Sequence, residues 1–450
     1  MYVIRPFAFR LSLSALRTPL LSLVSQLRDS ETRGPVLFIL SSGIKSVTQM
    51  ITALIVAHFV LPEYLGTWHS ISILETYLLI FSLGIPSALA REYALHRGKS
   101  ADDEALRTAW VGLSSSLIWA TISLLVVAAL LLYSWLTQAD QKTIAALALF
   151  TLPVFLDPIV MCLNDLYRGG EEFMQLGKIQ LCETIYLVIS IAIVAAFGWV
   201  GLFVRYASIA AMSIVLRYIW RPVPWRLIWD WDIFKRLTHL GLKMLYETYT
   251  WGLVFVADRT LIVAVLGKTE VGYYALALSA QTAIVTMPIS LRQVIFARMS
   301  FRYGQTSQAD SLWRITFLPV LFNAIFLVIP VGVLLILVGP FIRTFLPQYV
   351  PGIRAAQLMM VSGYFLCLQT SRSVFPTLNR MLHYNILTSA MLILMWTLGY
   401  LMITTFRSIE SIAVAMVIVM AVYALSVNLL AYYTIRMTSR GEAVLSAAVP

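Results

Sequence analysis

Long apolar runs recur along almost the whole chain, broken only by short polar turns. A helix needs about 20 such residues to cross the hydrocarbon of a bilayer. From Pro35 onward the runs resolve into twelve predicted spans, at residues 36–60, 65–91, 107–136, 143–167, 177–197, 200–219, 239–266, 271–298, 312–338, 354–375, 384–406 and 410–435. Alternating strands of about ten residues, which an outer-membrane barrel would show, do not occur. The pattern predicts an all-α polytopic membrane protein.

Polar positions are unevenly placed within the spans. A face that lines a wet pathway carries polar side chains at helical spacing. The first span has Ser41, Lys45, Thr48 and Thr52 in that rhythm, with Gln49 adjoining. The second has Trp68, Ser72, Glu75, Ser82 and Pro86, the seventh Lys243, Glu247, Trp251 and Asp258, and the eighth Gln281, Pro288 and Arg292. The other spans carry fewer charges, chiefly Asp157, Glu183 and Arg205. Hydrocarbon penalises each charge by roughly 2.5–3.5 kcal/mol on insertion scales, so charges kept there are expected to face a bundle interior or a wet cavity. The densest stretch is residues 239–304, two spans joined by a tight turn at 267–272 and carrying Glu247, Asp258, Arg259 and Arg292. Asp258 and Arg259 point about 100° apart on a helix and are expected to find separate partners. Pro86 and Pro288 are expected to bend their spans, since a proline frees a carbonyl one turn back.

The two halves read as repeats. Shifting the first by 206 residues places Gly66 on Gly272, Gly98 on Gly304 and Leu106 on Leu312. Six spans per half give both halves the same topology, as a pseudo-twofold along the membrane normal requires. The expected organisation is a tail at 1–35, either an amphipathic interfacial helix or disordered. A first lobe follows at 36–219, then an interfacial connector at 220–238 rich in Trp and basic residues, a second lobe at 239–436 and a tail at 437–450.

Charge orients these spans. With the N-terminus in the cytoplasm, 24 of the 33 Lys and Arg fall on cytoplasmic segments and five on the opposite side, Lys142, Lys268, Arg343, Arg354 and Arg407. Lys45, Arg205, Arg259 and Arg292 lie inside spans. The positive-inside rule then places both termini in the cytoplasm. The formal net charge of +11 is thereby explained without nucleic acid. Hydrophobic residues make up 60% and charged residues 12%, about half the charged share of a soluble domain. Cys162, Cys182 and Cys367 sit in or beside apolar spans with no framework spacing and read as reduced packing residues, not metal ligands. Asp230-Trp231-Asp232 matches the D-x-D of some metal-dependent glycosyltransferases, but no nucleotide-binding domain surrounds it, and no P-loop, H-E-x-x-H or G-x-S-x-G occurs.

The run Asp258-Arg259-Thr260-Leu261-Ile262, then Gly267, then Val271-Gly272-Tyr273-Tyr274, resembles the seventh and eighth helices of Wzx-type polysaccharide flippases. These belong to the multidrug/oligosaccharidyl-lipid/polysaccharide (MOP) exporter superfamily. The resemblance covers essentially everything after the tail. It implies two six-helix lobes with a cavity between them lined by spans one, two, seven and eight. It also implies a bacterial inner-membrane flippase that moves an undecaprenyl-pyrophosphate-linked oligosaccharide by alternating access for surface polysaccharide such as O-antigen and lipopolysaccharide. Lys45, Gln49, Gln281 and Arg292 are the expected substrate contacts, the two cations receiving pyrophosphate. Glu75, Glu247, Asp258 and Arg259 are expected to serve coupling or gating, with Na+ or H+ as the coupled ion and no cofactor. Expected partners are the lipid-linked oligosaccharide, membrane lipids and polysaccharide polymerase machinery. The alternatives are a multidrug or cation antiporter of the same superfamily and a membrane glycosyltransferase or polymerase.

Overall fold

A computed structural model describes residues 30–447 apart from positions 307 and 379; within the eighth span the side chains of residues 286–294, and several beyond, are not described. The tail helix expected over 1–35 therefore lies outside the described residues as far as position 29. The elements of the described residues are helical throughout.

Eight single helices are long and apolar enough to cross a membrane, and the bent pair Pro62–Ser82 and Ile85–Gly98 makes a ninth. Three further passes escape that test for visible reasons. The fifth breaks after the helix Phe173–Ile189. The eighth, Lys268–Thr306, carries many polar residues. The tenth, Ile353–Cys367, gives way to a tight 3-10 turn at Gln369–Ser373. Between the fifth and sixth passes the chain reverses at Gly198, whose φ of 56° suits glycine. Gly201 consequently lies against the backbone of Ile193 and Val194, which a straight helix would hold far apart. Twelve passes result. The last helix, Ile409–Ala447, continues beyond the span drawn for it.

The second span bends by 50°. The break lies at Leu83 and Gly84, both left-handed, with φ of 51° and 69°. Pro86 does not itself make the break: it sits in the first turn of the following helix, where its missing N–H costs nothing. The Trp119 indole donates to the Leu78 carbonyl at 3.0 Å, satisfying one group at the break. The eighth span stays helical through Pro288.

One apolar core, around Trp251, Tyr274, Met359 and Tyr423, belongs to the second half. Another, around Trp68, Phe150 and Phe203, belongs to the first half but also takes in Ala275, Leu346 and Tyr349 of the second. The halves are thus continuous at one end, the charge-poor end that carries the turns at 60–61, 198 and 266–267. There the repeat becomes a contact. A Cβ on Gly66 would collide with the Lys268 carbonyl, and one on Gly272 with the Pro62 carbonyl. Pro62 and Lys268 stand in the same register as Gly66 and Gly272, so the contact is reciprocal, as a twofold relation demands. Two further bonds cross nearby, from the equivalent positions Thr143 and Tyr349 to partners two residues out of register. Lys268 Nζ donates to Thr143 Oγ1 at 2.6 Å, and the Tyr349 hydroxyl donates to the Val60 carbonyl at 2.8 Å. Gln348 adds a 2.9 Å bond to the Ala57 carbonyl.

The seam between spans two and seven is joined along its depth. The Tyr77 hydroxyl and Thr260 Oγ1 lie 3.0 Å apart, the backbones of Gly84 and Gly241 touch, and Arg236 approaches Glu92 at 3.5 Å near the charge-rich end.

Candidate functional site

A cavity of about 460 Å³ lies between the halves, behind the charge-poor seal. Span one supplies Ser46 and Gln49, span two His69, span seven Phe255 and Arg259, and span eight Ser279 and Gln281. The four spans whose polar stripes stood out in the sequence therefore meet at this cavity. A second cavity, of about 510 Å³, opens within the first half and is lined by Glu75, Asp157, Asn164, Asp165 and Arg168, with Thr248 from span seven.

The expected site residues separate into groups. Gln49, Gln281 and Arg259 come together on the inter-lobe cavity. Gln281 is anchored there by a 3.0 Å bond from its Nε2 to Ser362 Oγ. Glu75 lines the second cavity. Lys45 is paired: its Nζ lies 2.6 Å from Glu183 Oε2. Glu183 also accepts from Arg217 and, at 2.6 Å, from Ser213. Arg217 in turn donates to Asn164 at 2.9 Å. Glu247 is likewise paired, 2.6 Å from Arg372, which also lies over the Tyr384 ring. That network continues from Trp251 Nε1 to the Tyr384 hydroxyl at 2.8 Å and from the Tyr423 hydroxyl to Gln369 at 3.0 Å. The side chain of Arg292 lies outside the described residues.

Asp258 and Arg259 depart from the expectation of separate partners. Asp258 is fully buried; its Oδ2 accepts from the Tyr274 hydroxyl at 3.0 Å and its Oδ1 from the Arg259 backbone N–H at 2.6 Å. The guanidinium of Arg259 curls back to 3.8 Å from the same carboxylate. The 100° separation fixes where two Cβ atoms point, not where a long flexible side chain ends.

Two ion-pair partners were not among the expected site residues. Arg217 and Arg372 fall inside spans 200–219 and 354–375 yet were counted among the orienting loop charges. Their position within the apolar runs was the available signal. Asp230 of the D-x-D caps the seventh helix, accepting from the backbone N–H groups of Asp232 and Ile233 at 2.9 and 3.2 Å, which accounts for its place structurally. Among the described residues no group of three His, Cys, Asp or Glu could hold a metal ion.

Residues 41–351 match the model of a family described as "Polysaccharide biosynthesis protein". The fold superposes on an inward-facing multidrug resistance MATE family transporter of the MOP superfamily, with a TM-score of 0.74 at 13% identity over 87% of this chain and 96% of that one. For an outward-facing MATE transporter the TM-score is 0.65 at 14% identity, covering 93% and 98%. A MOP superfamily transporter from Pyrococcus furiosus, for which reverse polarity of the binding pocket was taken to suggest a different function, gives 0.65 at 15% identity over 92% and 98%. In sequence, 91 residues are 26% identical to the multidrug resistance protein MdtK of Cronobacter sakazakii, a match spanning 20% of each protein. The family match covers well over half the chain, and its spans, seal and inter-lobe cavity build the fold seen in transporters of the MOP superfamily: the chain belongs to the polysaccharide biosynthesis protein family.

Proposed function

We propose that this transporter flips a polyprenyl-pyrophosphate-linked oligosaccharide from the cytoplasmic to the outer leaflet of a bacterial inner membrane, by alternating access between the two halves. The carrying observation is the inter-lobe cavity, closed at the charge-poor end and bordered by the polar side chains of Arg259, Gln49 and Gln281. A saccharide needs amide and hydroxyl partners, its pyrophosphate needs a cation, and its long tail can stay in lipid. The reciprocal contacts at the charge-poor end are the proposed gate, and opening it would also draw Ala275, Leu346 and Tyr349 away from the first-half core. Lys45 and Arg292, placed toward the charge-rich end, remain the proposed points of first capture; Lys45 would exchange Glu183 for phosphate. Glu75 is the proposed coupling acid, with H+ or Na+ as the ion and Glu247 and Asp258 as gating acids.

Deletion of the gene is expected to accumulate an undecaprenyl-linked glycan, and purified protein in vesicles to move that lipid between leaflets. Unchanged lipids in the deletion strain would sink the reading. One observation favours a second reading. The acid-lined cavity of Glu75, Asp157 and Asp165 suits an organic cation, and the matched stretch of MdtK comes from a multidrug resistance protein. New sensitivity to cationic drugs without lipid accumulation would select that reading.

A further inference from the structure

Resting on the flippase reading, the geometry points to Arg259 as the receptor for the substrate's phosphate groups, with Asp258 and Tyr274 as the residues that position it. Arg259 borders the inter-lobe cavity with its side chain 19% exposed. A guanidinium carries five N–H donors in a fork matched to phosphate oxygens. Among the described residues this one makes a single hydrogen bond, from Nη2 to the Phe255 carbonyl at 3.2 Å. Four other cations within the spans are committed: Lys45 and Arg217 to Glu183, Arg372 to Glu247, Arg205 to Ser190.

Asp258 explains how such a group can wait in the membrane. A bare guanidinium in a low-dielectric site is costly, whereas a tight bidentate carboxylate would consume the donors a ligand needs. The Asp258 carboxylate does neither. Its oxygens are taken by the Tyr274 hydroxyl and by the Arg259 backbone N–H, and it stands 3.8 Å from the guanidinium Nε, close enough to balance charge and too far to hydrogen-bond. Tyr274, fully buried, holds the carboxylate in that pose. Arg259 lies six residues, or about 9 Å, from the end of its helix at Val265, so the phosphate would rest just behind the charge-poor seal. Gln49, Gln281 and Ser279 border the same space and would meet the adjoining sugar.

The ligand chemistry is a phosphate or pyrophosphate anion, borne by the lipid-linked saccharide or by a phospholipid headgroup. The test uses the full chain in phosphatidylcholine nanodiscs titrated with inorganic pyrophosphate by calorimetry, and a parallel arm in phosphatidylglycerol nanodiscs without pyrophosphate, read by thermal unfolding. Arg259→Gln is expected to weaken pyrophosphate binding ~10- to 100-fold, the loss of a charge-assisted bond or two. Arg259→Lys keeps the charge, guards against a folding artefact and retains part of the affinity. The positioning residues should act with opposite signs. Tyr274→Phe frees Asp258 to engage the guanidinium and weakens binding, whereas Asp258→Asn removes the competing anion and tightens it. Pyrophosphate binding by Arg259→Gln equal to wild type, or no binding by wild type, overturns the inference. So does an Arg259-dependent response confined to the phosphatidylglycerol arm, which would assign the site to phospholipid. Weakening by both Tyr274→Phe and Asp258→Asn overturns the positioning roles. Failure of the vesicle flipping assay with wild-type protein tells instead against the proposed function, because pyrophosphate binding is read without transport.

Discussion

Gly66→Ala and Gly272→Ala should each open the charge-poor end. A methyl at either position would collide with a carbonyl of the opposite half, at Lys268 or Pro62, and the obstacle is backbone that no rotamer change can move. The second and eighth spans must then retreat by more than an ångström to restore ordinary contact. Overpacking of this kind costs about 1–3 kcal/mol, charged only to the state in which the two glycines touch. At tenfold per 1.4 kcal/mol, the equilibrium should move toward the open state by roughly 5- to 150-fold. Ser279→Cys, placed on the cavity behind the seal, reports it in a background with Cys182, the native cysteine that is not buried, replaced. A membrane-impermeant thiol reagent added on the charge-poor side should label it faster in either glycine variant. One retreat relieves both collisions, so the double variant should label little faster than a single one. Folded protein with an unchanged labelling rate would refute the gate. Full additivity of the two substitutions would refute the twofold contact.

The ion networks give three further outcomes. Glu183→Gln leaves Lys45 and Arg217 without their shared counter-charge, a loss expected to cost about 3–5 kcal/mol and to appear in thermal unfolding. Arg372→Gln should destabilise by about 2–5 kcal/mol, and adding Glu247→Gln should return part of it, giving a coupling of about 0.5–3 kcal/mol in a double-mutant cycle. Gly84→Ala combines a φ of 69° with a collision at the Gly241 carbonyl, so about 1–3 kcal/mol of stability should be lost whatever the state of the charge-poor gate.

The twelve passes were legible because length and apolarity leave a backbone in hydrocarbon few options. Even the turn at Gly198, inside what looks like one continuous apolar stretch, fell between the spans drawn at 177–197 and 200–219. The register of the repeat was legible too, through Gly66 and Gly272, because close backbone approach admits only the smallest residue. The pairing of the charges could not be read. Glu183 meets Arg217 across 34 positions and Glu247 meets Arg372 across 125, separations that no helical period encodes. A count of basic residues near span ends also treats as solvated any arginine that turns inward, as Arg217 and Arg372 do.

The two kinds of information describe different parts of the machine. Backbone contacts repeat: Gly66 with Lys268 answers Gly272 with Pro62. The chemistry does not repeat. The shift that carries Gly66 onto Gly272 carries the acid Glu75 onto the amide Gln281, which is held by Ser362. The first half gathers Lys45, Glu183 and Arg217, while the second sets Arg372 among Glu247, Gln369 and Tyr384. Under the proposed alternating access, the paired glycine contacts of the seal would be released together. The walls are asymmetric: the acids Glu75, Asp157 and Asp165 line a cavity within the first half, while the under-used guanidinium of Arg259 borders the cavity between the halves from the seventh span. An amphiphile with one anionic group and a polar saccharide would therefore enter in a single orientation, phosphate toward the seventh span and sugar across the axis. Transferring the arginine to its repeat counterpart on the first span by Arg259→Gln with Ala53→Arg should abolish transport even though the cavity keeps a cation, because the position of the charge, and not its presence, sets that orientation.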